Sequence, residues 1–194
     1  MRVAIDFLKL RCVRPAAGSV DRCYVFAAGA VDSGTRIVRV HPEEKISAEH
    51  SYSWPMETGQ SRDLRVRMAA AELSDFQTMT LRLIAAARVK GNYASALMFA
   101  AQIAQSIQSQ GQMASTLGMV SHMPDQFNGD LLLGEFMLMV TNTGKEVSHW
   151  GIYSPTAEPL EAETKDDAIA LKLTGNRAEY EIVFAVRAPV PSRR

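Results

Sequence analysis

Apolar and polar residues alternate at both ends of the chain, and few sequence features restrict a fold more. Near the C-terminus, AEYEIVFAVRA sets Tyr180, Ile182, Phe184 and Val186 on one side. Near the N-terminus, VAIDFLKLRCV alternates in the same way. Successive side chains of a strand point to opposite faces, so a period of two marks a strand with one buried face. Further strand signals fill the first seventy residues. RCYVFAAGA is β-branched and aromatic before a glycine, and TRIVRV follows the turn VDSG, where Asp32, Ser33 and Gly34 supply turn chemistry. DLRVRMA opposes Leu64, Val66 and Met68 to Arg65 and Arg67, while Pro42 and Pro55 bracket a loop-rich piece holding HSYSW.

The middle of the chain has a different rhythm. Ser74 followed by Gln77 fits a capping box, and Phe76, Met79, Leu83, Ile84 and Ala87 recur at helical spacing. VKGN then breaks the helix, with Gly91 as its C-terminal cap and Asn92 as the next N-cap. Tyr93, Leu97, Ala100, Ile103, Ala104 and Ile107 form a second apolar stripe that ends near Gly111. So short a link predicts an antiparallel pair, an αα-hairpin. Strand signals return after Gly118 in LLLGEFMLMV, EVSHWGIYS, DDAIALKL and the alternating final piece, the last two flanking the turn TGNR.

These elements predict a mainly β fold with an α insertion: an antiparallel β-sandwich of about eight strands plus an αα-hairpin. Residues 1–194 read as a single domain, with the sandwich built from 1–71 and 117–189, the hairpin insertion at 74–111 and a flexible tail at 190–194.

Charge narrows the functions. Lys plus Arg number 21 and Asp plus Glu number 21, so the chain lacks the positive excess on which general nucleic-acid binding rests. Arg2, Arg11, Arg14, Arg22, Arg36 and Arg39 crowd the first forty residues and are read as solvated strand faces. The N-terminus lacks the apolar core of a secretory signal, and no apolar run approaches the roughly 20 residues of a membrane-crossing helix. A cytoplasmic protein is expected, with export by a non-classical route left open. In that compartment Cys12 and Cys23, on what read as adjacent strands, are expected to be buried free thiols.

No glycine-rich phosphate loop, nucleophile elbow or helix with two histidines a turn apart occurs. His41, His50, His122 and His149 are scattered, and an enzyme would need His122, His149, Asp125 and Glu135 to converge. No organic cofactor is implied. A hard cation needs several oxygens from neighbouring loops, and Asp21, Asp125, Asn128 and Asp130 are the candidates, with calcium as the ion. Those residues also suit tight turns without any ion. On the helical hairpin, Phe76, Met79, Leu83, Tyr93, Leu97 and Ile103 are the candidate contact residues for a protein partner, for self-association or for a membrane.

SVDRCYVF, GDLLLGEFMLMV and GNRAEYEIVFAV resemble the strand signatures of C-two domains, calcium- and phospholipid-binding β-sandwiches. The resemblance covers the β blocks and makes the helical hairpin an insertion. It matches Asp130 and Gly134 to a family loop of the type Asp-Asp-x-hydrophobic-Gly, and Asp21 to an early-loop acid. The chain departs from it at Gly129, where a second acid is expected, and in having Asp21 alone in the early loop. The function expected is a non-enzymatic binding or assembly module. The alternative is a membrane-acting protein, a lipid-docking module or a pore-forming toxin deploying residues 75–110.

Overall fold

The computed structural model describes residues 1–16, 18–43, 52–89, 93–110, 126–127, 130–144, 147–153, 162–165, 168–175 and 177–188. The chain is mainly β. The strands are β1 (Arg2–Arg14), β2 (Val20–Val31), β3 (Arg36–His41), β4 (Trp54–Glu57), β5 (Ser61–Glu72), β6 (Thr78–Ala87), β7 (Gln126–Phe127), β8 (Asp130–Asn142), β9 (Val147–Tyr153), β10 (Glu163–Lys165), β11 (Ala168–Gly175) and β12 (Ala178–Arg187). A single helix, α1 (Tyr93–Gln110), is present among the described residues.

The strands form two antiparallel sheets. The first runs β10-β11-β12-β1-β5, and the second runs β3-β2-β6-β8-β7, with β4 also pairing β2 and β9 also pairing β8. The alternating segments build the first sheet: Phe7, Leu10, Ile182 and Phe184 enter a core shared with the second sheet, where Phe136 stacks on Phe184 at 5.2 Å. The outer face of the first sheet is charged. Asp6 bridges Arg67 of β5 at 2.8 Å and Arg187 of β12 at 2.9 Å. The hydrogen bond from Arg67, followed by the charges of both arginines, holds the Asp6 carboxyl below its ordinary value. Stability from this group is therefore present above the ordinary aspartate range and lost as pH falls through the lowered value. All six arginines of the first forty residues are exposed, as solvated strand faces should be.

The second sheet is covered on one side by the first sheet and, over β2 and β3, by α1 on the other. Along β2, Cys23, Val25 and Ala27 face the first sheet, while Tyr24, Phe26, Ala28 and Ala30 face α1. The helix lies over β2 and β3 and buries Ala96, Ala100, Ile103, Ala104 and Ile107. Its last turn is tied down by Gln108, which accepts from Arg36 Nε and donates from Nε2 to the Gly34 carbonyl at 2.6 Å.

Two expectations need correction. The first arm of the helical hairpin is strand β6, hydrogen-bonded to β2 on one side and β8 on the other. Met79, Leu81, Leu83, Ala85 and Ala87 point to one core, and Ile84 and Ala86 to the other. A strand apolar on both faces loses its period-two signal, and its alanines then mimic a helix. Twelve strands rather than about eight arise among the described residues, partly because short pieces such as β4 and β10 carry little pattern. Pro55 fits within β4 because, among the described residues, that strand pairs only with β2.

At one side the sheets touch backbone to backbone. A Cβ on Gly134, at the β8 bulge, would lie 2.6 Å from Leu173 Cβ and 3.1 Å from its Cα; a Cβ on Gly175 would lie 2.8 Å from the Leu132 carbonyl oxygen. Forcing atoms into such a seam costs about 1–3 kcal/mol. Gly134→Ala is therefore expected to lower the free energy of unfolding by that amount in a urea titration, and a change below about 0.5 kcal/mol would show that β8 and β11 are not in close contact.

Candidate functional site

The β2 segment SVDRCYVF supplies polar side chains to both faces of the second sheet. Toward the first sheet, Asp21 is 2% exposed and accepts from Tyr180 Oη at 2.6 Å and from the Ala16 amide at 2.7 Å. Cys23 Sγ in turn donates to Tyr180 Oη at 3.3 Å. Burial, then the neighbouring Cys23 and Asp21, pushes the Tyr180 phenol far above its ordinary range. Burial likewise raises both thiols, Cys23 most strongly. A thiol held protonated is a poor nucleophile, and these hydrogen bonds tie β2 to β12 and to the segment that follows β1. Both cysteines are free and buried, as expected, although β1 and β2 lie in different sheets.

Toward the helix side, Tyr24 Oη donates to Asp130 at 3.0 Å, and the Val89 amide donates to the same carboxylate at 2.8 Å. The Arg88 guanidinium sits 4.6 Å from the Tyr24 ring centroid, a cation–π contact. Farther along the sheet Arg82 and Glu135 form an ion pair with side chains only 3% and 8% exposed. Burial lowers the Arg82 value and raises that of Glu135, each opposed by the partner's charge. Such a buried pair adds little net stability, because the cost of desolvating both charges offsets their attraction.

Asp21 and Asp130 thus project from opposite faces of one sheet, and each is engaged by a tyrosine hydroxyl and a backbone amide. They cannot share one cation. Asp125 and Asn128 lie outside the described residues, and no group of three or more metal-ligating side chains gathers among the described ones. Glu135, drawn into the Arg82 pair, is not free for acid–base work; His122, Asp125 and the His149 side chain lie outside what is described.

The expected contact residues also separate. Met79 and Leu83 are fully buried between the sheets, Ile103 is buried beneath α1, and Tyr93 packs partly against that same core. Their dispersal follows from β6 being a strand. Phe76 and Leu97 remain exposed, at 78% and 39%. Phe76 occupies the third position of the turn Ser74–Gln77 with φ 64°, closed by Gln77 N donating to the Ser74 carbonyl at 3.1 Å. Positive φ is costly for a bulky residue, and glycine or asparagine is usual there. The helix buries the expected stripe at Ala100, Ile103, Ala104 and Ile107, with Tyr93 packed against it, but takes in Ala96 and leaves Leu97 facing outward beside Met98, which is 65% exposed.

Among the described side chains of α1, the outward ones are Ala94, Leu97, Met98, Ala101, Gln102 and Gln105. Across all 18 residues, YASALMFAAQIAQSIQSQ, the helix has no acidic or basic side chain. No helix among the described residues is long and apolar enough to cross a membrane.

Neither a protein-family model nor a curated protein matches the chain. Geometry alone therefore selects the candidate: the uncharged outer face of α1, held on a sheet pinned by two separate tyrosine–aspartate pairs. Tyr180→Phe and Tyr24→Phe should each cost about 1–3 kcal/mol, because each leaves a buried carboxylate short of a donor. The double variant should be additive to within about 0.5 kcal/mol in chemical denaturation. A coupling energy above about 1 kcal/mol would mean that the two pairs form one polar site after all.

Proposed function

We propose that the chain is a non-enzymatic binding or assembly module, a β-sandwich that presents the outer face of α1 as its contact surface. One observation carries this reading. A surface helix of a soluble protein normally sets charge on its solvent side, and α1 sets none there while exposing Leu97 and Met98. Charge is plentiful on the opposite side of the molecule, where Lys9, Arg11, Arg67, Lys172 and Arg187 are exposed. The contrast supports a face shaped for contact rather than for solvent.

The C-two resemblance is compatible with a binding role but adds no ligand. Asp21 and Asp130 already accept hydrogen bonds on opposite faces, so calcium has no part in the proposal. A membrane surface suits α1 less well than a protein does, because interfacial helices meet anionic lipid through lysine and arginine, and α1 has neither. The deployable hairpin that a pore-forming toxin would need is replaced by a strand in mid-sheet and a docked helix.

Light scattering after size-exclusion chromatography, with recovery of bound protein from native lysate, tests the module. The native chain is expected to self-associate or retain a protein, and Met98→Glu to abolish this without shifting the unfolding midpoint measured in dilute pure protein, where no partner is bound. A strictly monomeric chain that retains nothing would overturn it.

A further inference from the structure

We draw no further inference here: the strongest candidate, the outer face of α1 around Leu97 and Met98, belongs to the site already described, and nothing in the structure shows what covers it.

Discussion

Strand β2 is buried on both faces, and the rest of the structure depends on it. A strand in that position must supply apolar side chains at nearly every residue, and CYVFAAGAV does so. Its odd-numbered residues close the core against the first sheet, and its even-numbered ones form the bed on which α1 lies. Its edges are occupied as well, by β6 along one side and by β3 and β4 along the other. The polar residues at its start are also placed by this two-sidedness, so Asp21 and Cys23 meet Tyr180 on one face while Tyr24 meets Asp130 on the other.

From this follows the asymmetry of the molecule. The first sheet has one covered face and one charged face, held by cross-strand contacts such as Asp6 with Arg67 and Arg187. The second sheet needs a cover, and α1 supplies part of it. Ile103 and Ile107 alone are worth roughly 1.5–3 kcal/mol each on burial. Tethering at Gln108 adds polar fixation. A helix seated in this way presents a face with no charged side chain.

How much of this was legible in the sequence depends on whether a strand is covered on one face or two. β1, β5 and β12 belong to the sheet with a solvent face and announce themselves by alternation. β6 has no solvent face, so TMTLRLIAAA read as a helix. Even its false start was chemically sensible: Gln77 does reach back to the Ser74 amide, at 2.9 Å, as in a capping box, but the turn it closes passes through Phe76 into a strand. The second helix was legible, though the face it buries leaves Leu97 out and draws Ala96 in. The tyrosine–aspartate pairs were not legible, because Tyr180 and Asp21 are 159 residues apart, and Tyr24 and Asp130 are 106.

Native-state hydrogen exchange read segment by segment bears most directly on whether α1 is a fixed part of the second sheet. Beyond its first turn, α1 should exchange in the same cooperative class as β2 and β6, opening only when the sheet unfolds. If α1 exchanged rapidly by local opening while β2 stayed protected, the helix would be a detachable arm. The account of a rigid contact face would then be wrong.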